Sequence, residues 1–132
     1  SDGLQGFLAQ GAPELGGDLS EFGSAQDVAL AHVIRTVRSC GVALNALGAR
    51  ATVRVHGACI GSGVEIPAAA ARVEAHANAF FQLPELSIGL IPGAGGTVSL
   101  PRRIGRHRTA WLALQVAGSL PQQRSHGGWL IM

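Results

Sequence analysis

Two glutamates beside glycine-rich turns are the residues of this sequence best suited to proton-transfer chemistry. Glu65 closes the segment 61–65, which reads G-S-G-V-E. Glycines where a strand turns into a helix let the backbone approach a ligand, and the first N–H groups of a helix favour negative charge. A carboxylate one turn further can exchange a proton with a bound oxyanion. The segment therefore predicts an anion site beside Glu65, although a plain tight turn has the same spacing.

Glu85 is the second candidate, because its segment carries little other charge. From Ala75 to Pro101 no other charged residue occurs apart from His76. A carboxylate buried in such surroundings is either paired or has a shifted proton affinity, as many catalytic acids do. The segment 91–97 that follows reads I-P-G-A-G-G-T and lacks the Gly-Lys-Ser/Thr ending of a nucleotide-phosphate loop. We therefore expect proton transfer, and not triphosphate binding, in this part of the chain.

Three elements must position the segment around Glu65. The first is an amphipathic helix over about 25–47, because a capping-box spacing is followed by apolar residues at intervals of three or four. The second is a strand over 50–56, in which valines alternate with polar residues. The third is a helix over about 65–72, favoured by a proline in its first turn and a run of alanines. A strand therefore leads through a glycine turn into a helix.

The rest of the chain alternates further strands, loops and helices. We predict a short strand over 73–76, extended chain over 80–84 and a helix over about 106–117. Residues 1–23 lack periodicity and are predicted to be mostly loop, and a weak helical turn is predicted within 121–128. This order of elements indicates an α/β chain.

Composition and charge exclude several classes of protein. The chain has 132 residues, 47% of them hydrophobic and 14% charged, with a formal net charge of +2, so a disordered or collagen-like chain is excluded. The arginine cluster at 102–108 has no interleaved aromatic residue, so we expect no nucleic-acid partner. The uncharged stretch 86–101 is broken by glycines and a proline, so no membrane span is expected. The two cysteines lack metal-ligand or disulfide-scaffold spacing, which predicts no metal site and a cytoplasmic location.

Three motifs occur in a fixed order. They read V-H-G-A-C-I-G-S-G-V-E over 55–65, F-Q-L-P-E over 81–85 and G-L-I-P-G-A-G-G-T over 89–97. Together they resemble the crotonase superfamily, that is, the enoyl-CoA hydratase/isomerase family. The resemblance implies an α/β fold of the crotonase-like (ClpP/crotonase) type, present in part and built of stacked ββα units.

The same resemblance implies a reaction and a site. The reaction is the syn addition of water to an α,β-unsaturated acyl-CoA thioester through an enolate held in an oxyanion hole. Glu65 and Glu85 match the two catalytic glutamates, and the backbone N–H groups of Gly17 and Ser62 match the oxyanion hole. The residues implied in substrate binding are Gly61, Gly63, Pro92 and Gly93. No separate cofactor and no metal is implied, because coenzyme A is part of the substrate.

The resemblance also implies how the chain is organised. It predicts one crotonase-like domain over 1–132 that lacks N-terminal strands and C-terminal helices, because members of the family are longer. It further predicts an acyl-CoA thioester as the binding partner and a homo-oligomer, a trimer or hexamer.

Two other functions are open at this point. One is a catalytically inactive fragment that binds acyl-CoA or associates with an oligomer partner. The other is a hydrolase with Cys59 as nucleophile, because 57–61 reads G-A-C-I-G, a form of the nucleophile elbow. Its candidate bases are His56, His76, His107 and His126. Against it, Cys59 is also expected as a small buried apolar residue.

Overall fold

The computed structural model describes residues 7–9, 27–115 and 129–131. The strands in these ranges are β1 Phe7–Ala9, β2 Thr52–Val55, β3 Ala58–Ile60, β4 Arg72–His76, β5 Phe80–Gln82 and β6 Trp129–Ile131. The α-helices are α1 Val28–Val37, α2 Cys40–Ala46, α3 Ser62–Glu65, α4 Gly96–Ile104 and α5 Arg106–Leu114. Short 3-10 turns cover Gly48–Arg50, Pro67–Ala69 and Glu85–Ile88.

The strands form two sheets, and the chain passes from the first sheet to the second twice. One sheet has the order β1-β2-β4-β6, in which β1, β2 and β4 are parallel and β6 is antiparallel. The second sheet pairs β3 with β5 in parallel. β2 is followed by β3 of the second sheet and then by α3 and the Pro67–Ala69 turn. β4 is followed by β5 of the second sheet and then by the Glu85–Ile88 turn, α4 and α5. This is a pair of stacked ββα units, as the sequence predicts.

Buried apolar and exposed polar residues alternate along the strands of the first sheet, so one face of this sheet lies on the core and the other faces outward. Val53 and Val55 of β2 are buried, and Val53 lies opposite Val73 of β4 in the register. Between the valines, Arg54 is exposed and its Nε lies 2.8 Å from Glu74 Oε2. Side chains pointing to opposite faces at successive positions produce this pattern. The core continues through the second sheet and the helices with Phe81, Leu83, Leu100 and Leu112.

The helix predicted over 25–47 is two helices. α1 ends at Val37, and α2 begins at Cys40 after Ser39, whose Oγ accepts a hydrogen bond from the Val42 N–H at 3.2 Å. The first N–H groups of a helix have no acceptor within that helix. A serine side chain that accepts from one of them therefore caps the start of a new helix. Asp27, the last residue of the predicted capping box, is the N-cap of α1. Residues 24–26 lie outside the described residues.

Other elements differ from the sequence prediction. Residues 58–60 form β3 where a glycine turn was expected, because their backbone pairs with β5. The helix predicted over 65–72 is replaced by α3, the 3-10 turn Pro67–Ala69 and the start of β4. The prediction of loop over 1–23 is wrong at β1, which pairs with β2.

The last part of the chain holds one further unpredicted helix. α4 follows the glycine-rich segment directly, with Gly95 as its N-cap. The predicted helix over 106–117 is observed as α5 up to Leu114. Residues 116–128, including the predicted turn within 121–128, lie outside the described residues. None of the described helices is long and apolar enough to cross a membrane.

Candidate active site

The turn from β3 into α3 brings Glu65 into the core. Gly61 has a φ of 55°, in the left-handed region that a residue with a Cβ rarely adopts. Its N–H donates to the Gln82 carbonyl at 2.9 Å, which ties the turn to β5. Its own carbonyl accepts from the N–H groups of Val64 and Glu65 at 2.8 and 3.1 Å. The turn therefore fixes where the side chain of Glu65 begins.

Glu65 is a buried carboxylate held by backbone N–H groups. The residue is 2% exposed, and its Oε2 accepts hydrogen bonds from the N–H groups of Ala94 and Gly96, each at 2.8 Å. The hydroxyl of Ser99 donates to the Glu65 carbonyl at 2.9 Å. The Oε1 atom accepts no hydrogen bond from the described residues. One oxygen therefore anchors the carboxylate and the other is available to a ligand.

Gly96 leaves the space that this carboxylate occupies. A Cβ built on Gly96 would lie 2.6 Å from Glu65 Cγ and 2.8 Å from its Oε2. The backbone of Gly96 is helical and does not itself require glycine. Close approach of the glutamate is therefore the reason for a glycine at this position.

The pKa of Glu65 is higher than that of an ordinary glutamate. Burial is the largest cause, since removal from water disfavours the charged form. The negative charge of Glu85 raises the pKa further, whereas the N–H groups of Gly96 and Ala94 and the charge of Arg35 lower it. A buried carboxyl with a raised pKa of this kind is a candidate for proton transfer.

Glu85 approaches the same turn from the opposite strand of the second sheet. It begins the 3-10 turn Glu85–Ile88 that follows β5, and its Oε1 lies 2.7 Å from where a Cβ on Gly61 would be. Its Oε2 is buried and has no hydrogen-bond partner among the described residues. Because β3 and β5 are paired, the segments that carry Glu65 and Glu85 follow neighbouring strands at the same end, and the charge of Glu85 acts on Glu65.

The remaining predicted site residues lie at the start of α3, in the loop before Ala94, or outside the described residues. The N–H groups of Ser62 and Gly63 stand at the start of α3 and donate to no acceptor among the described residues. Pro92 and Gly93 lie in the loop that leads to Ala94 and thus to Glu65. Gly17 lies outside the described residues.

Four residues of the site were not predicted as such. Ala94 and Gly96 act through backbone N–H groups, which the sequence indicates only as a glycine-rich segment. Ser99 fixes the carbonyl of Glu65, and nothing in its sequence context indicates this. Arg35 lies on α1, far along the chain, with its Nη1 3.4 Å from where a Cβ on Gly93 would be.

A cavity of about 640 Å³ opens beside Glu65. Its walls come from α2, the Pro67–Ala69 turn and α4, and most of its lining is small or apolar. Examples are Gly41, Ala68, Ala69, Ala94 and Val98. Glu65 is the one acid among the described residues that line it. A pocket of this kind has room for an apolar group next to the carboxylate.

Cys59 has the properties of a core residue. It is 6% exposed, and burial raises the pKa of its thiol. Its Sγ lies 3.8 Å from the carbonyl oxygens of His56 and Gly57. A catalytic cysteine needs the thiolate, which this environment disfavours. Among the described residues, no group of three or more His, Cys, Asp or Glu could hold a metal ion.

This arrangement of two ββα units with two converging glutamates is part of a crotonase-like fold. The chain belongs to the enoyl-CoA hydratase/isomerase family, whose profile matches residues 15–126. It is similar to the enoyl-CoA hydratase of Thermoplasma volcanium, with 31% identity and a TM-score of 0.65 over 76% of this chain and 40% of that one.

Two further solved structures are similar over a comparable share of the chain. AtuE of Pseudomonas aeruginosa has 33% identity and a TM-score of 0.60, over 78% of this chain and 41% of that one. The enoyl-CoA hydratase/isomerase of Cupriavidus metallidurans has 26% identity and a TM-score of 0.59, over 71% and 35%. The aligned part of this chain thus spans 35–41% of the length of these three relatives.

Proposed function

We propose that this chain carries the proton-transfer site of an enoyl-CoA hydratase, which adds water across the double bond of an α,β-unsaturated acyl-CoA. The observation that supports this most directly is that the Glu65 backbone and the Glu85 carboxylate both lie at the Gly61 turn, with the charge of Glu85 acting on Glu65. One carboxylate is anchored through Oε2 by two N–H groups, and the other has a buried oxygen without a partner among the described residues. Two carboxyls in different environments can divide the roles of base and acid.

The proposed reaction uses each carboxyl once. The oxygen of a water held at Glu65 Oε1 bonds to the β-carbon of the substrate, and Glu65 takes a proton from that water. The electron pair of the double bond moves toward the thioester oxygen and forms an enolate. Glu85 then gives a proton to the α-carbon, the thioester carbonyl re-forms, and solvent returns the proton from Glu65 to Glu85. The sum is one water added to one enoyl thioester.

The backbone supplies the stabilisation of the enolate in this proposal. The Ser62 N–H, which has no acceptor among the described residues, would donate to the thioester oxygen, and Gly17 would supply the second N–H. Donors fixed before the reaction stabilise charge that develops only in the transition state. The cavity beside Glu65 would take the acyl chain, since most of its lining is small or apolar and its charged residues are Glu65, Arg102 and Arg103. Coenzyme A arrives as part of the substrate, so the proposed reaction includes no separate cofactor, and none of its steps is assigned to a metal.

The experiment is hydration of crotonyl-CoA, followed as loss of the conjugated thioester absorbance. Turnover should fall by about 10²-fold or more in Glu85→Gln, while binding of acetoacetyl-CoA is kept. Glu74→Gln is the matched control, because Glu74 is paired with Arg54 and Arg72 on the outer face of the sheet. It should keep full turnover.

The other outcomes identify the alternatives. A chain that binds acetoacetyl-CoA without turnover would be the inactive acyl-CoA-binding fragment. Activity that survives Glu85→Gln and disappears in Cys59→Ala would indicate the cysteine hydrolase. Either result would overturn the hydratase proposal.

A further inference from the structure

The cavity beside Glu65 has an arginine at the other end of one of its walls. α4 forms this wall, and its lining residues share one helix face because they are spaced by three or four: Gly95, Val98, Ser99 and Arg102. The start of α4 holds Glu65, since the Gly96 N–H donates to its Oε2. Arg102 follows Gly96 by six residues, which is about 9 Å along the helix axis. The wall therefore leads from a carboxylate to a guanidinium.

The guanidinium of Arg102 is available to a ligand. Arg102 is exposed, and it has no ion pair or hydrogen-bond partner among the described residues. Its neighbour Arg103 also lines the cavity, but the Arg103 guanidinium donates to the carbonyls of Ala68 and Ala70. Arg103 thus joins the end of α4 to the segment that follows Glu65, whereas Arg102 contributes a charge without a described partner.

The rest of the lining suits a hydrocarbon chain. Val98 lies on the α4 wall between Ser99 and Arg102 in space, and Ala68 and Ala69 lie on the wall that follows Glu65. Methylene groups bind favourably to a surface of this kind, because their contact removes apolar area from water. The charge of Arg102 then distinguishes between chains by the group at their end.

A methyl end and a carboxylate end would interact with Arg102 in opposite ways. A methyl group against the guanidinium displaces water and supplies no hydrogen bond, which costs free energy. A carboxylate replaces the lost water with charge-assisted hydrogen bonds, two of which a guanidinium can donate in parallel. The cavity is therefore more complementary to an acyl chain that ends in a carboxylate.

We propose that the substrate of this site is an enoyl-CoA whose acyl chain ends in a carboxylate, and that Arg102 binds this carboxylate. The inference rests on the proposed function, because that function places the double bond at Glu65 and the acyl chain in the cavity. Arg102 takes no part in the addition of water. It determines specificity through binding, so its role can be measured without turnover.

The first test is the binding of saturated thioesters, which cannot be hydrated. Adipoyl-CoA and suberoyl-CoA are compared with hexanoyl-CoA and octanoyl-CoA, which have the same chain lengths and end in a methyl group. Isothermal titration calorimetry should show tighter binding of a carboxylate-ended thioester than of its methyl-ended counterpart. Arg102→Met should weaken the carboxylate-ended one by about tenfold, the effect of a hydrogen bond to a charged group, and leave the methyl-ended one unchanged or tighter. Arg102→Lys should keep part of the preference.

Arg106→Met is the matched control. It removes the same charge from an exposed arginine at the start of α5, outside the described lining of the cavity. It should leave the four affinities unchanged. Turnover gives a second measurement, the ratio of kcat/KM for a carboxylate-ended enoyl-CoA to that for the methyl-ended enoyl-CoA of equal length. This ratio should fall by about tenfold in Arg102→Met and stay constant in Arg106→Met.

The two proposals fail in different ways. Equal weakening of both kinds of thioester in Arg102→Met would assign Arg102 to the phosphates of coenzyme A, which all four ligands share, and would overturn the inference. A wild type without preference at either chain length overturns it too, even in a chain that hydrates both kinds of substrate. A preference that depends on Arg102 in a chain without turnover supports the carboxylate site and overturns the hydratase proposal. A chain that binds none of the four thioesters overturns both.

Discussion

At the residue scale, each carboxylate of the candidate site occupies space that a glycine leaves open. Glu85 Oε1 would lie 2.7 Å from a Cβ on Gly61, and Glu65 Cγ would lie 2.6 Å from one on Gly96. Contacts below about 3 Å between a Cβ and another heavy atom force a rearrangement, since packed interiors have no spare volume. The glycines are therefore as much a part of the site as the glutamates.

Gly96→Ala should damage the site through Glu65. The new methyl group would displace the buried carboxylate and disturb its bonds to Ala94 and Gly96, so we expect loss of hydratase turnover and a destabilisation of about 1–3 kcal/mol. Gly41→Ala is the control, because its Cβ would meet Ala69 and Ala94 at an ordinary 3.6 Å. In a helix such a change should stabilise by about 0.4–1 kcal/mol. Urea unfolding of both variants and turnover of Gly96→Ala test this, and equal changes in the stability of the two variants would contradict it.

The raised pKa of Glu65 makes activity and stability change in opposite directions with pH. The raised pKa means that Glu65 binds its proton more tightly in the folded state than in the unfolded chain. Protonation of Glu65 therefore contributes fully to stability below the ordinary pKa of glutamate. It is lost as pH rises through the raised folded pKa, while the fraction of Glu65 available as a base increases. Glu65→Gln should remove this part of the pH dependence of stability. Urea unfolding at a series of pH values measures it, and identical pH profiles of the two proteins would contradict it.

At the element scale, short caps and turns decide where the helices begin. Ser39 separates α1 from α2, and its Oγ accepts from the Val42 N–H. Ser39→Ala removes this bond and should cost about 1 kcal/mol of stability, whereas Ser39→Asp keeps an acceptor at the N-cap and should cost much less. Chemical denaturation of both variants measures the difference. Equal losses in Ala and Asp would show that the serine does not cap α2.

Much of the fold could be predicted from local pattern. The alternation of Val53 and Val55 indicated β2, and the three ordered motifs indicated the ββα arrangement. The break at Ser39 was missed because the apolar spacing continues across it, and a single serine also occurs within helices. β3 was missed because its three residues are strand only through pairing with β5. α4 was missed because glycine-rich sequence predicts a loop, whereas Gly96 is the first residue of a helix and is a glycine because Glu65 lies close to it.

Of the candidate site, the sequence singled out the two glutamate side chains. Glu65 and Glu85 stood out because acids are scarce in their segments. The roles of the Ala94 and Gly96 N–H groups could not be predicted, because every residue except proline has a backbone N–H and the fold sets its direction. The position of Arg35 beside Gly93 could not be predicted either, since it depends on how α1 packs against the rest of the molecule.

At the scale of the whole molecule, the described part has a core around the site and an apolar surface on α1. Leu83 and Leu100 are almost completely buried; Leu83 lies two residues before Glu85, and Leu100 follows Ser99, whose hydroxyl donates to the Glu65 carbonyl. In contrast, Leu30, Val33 and Val37 of α1 are more than half exposed. The aligned part of the chain spans about 40% of the length of the relatives it matches. Whether the described framework by itself binds an acyl-CoA is therefore the central question about this chain.

Thermal unfolding of the 132-residue chain with and without acetoacetyl-CoA answers it most directly. The enolate form of this thioester carries negative charge on the oxygen that the Ser62 N–H would face. We predict one cooperative transition that moves to higher temperature with ligand, since a ligand at a hundred times its Kd adds about 2.7 kcal/mol to the folded state. Coenzyme A alone should give a smaller shift. A transition that acetoacetyl-CoA and coenzyme A move equally, or not at all, would contradict the proposal that these residues form an acyl-thioester site.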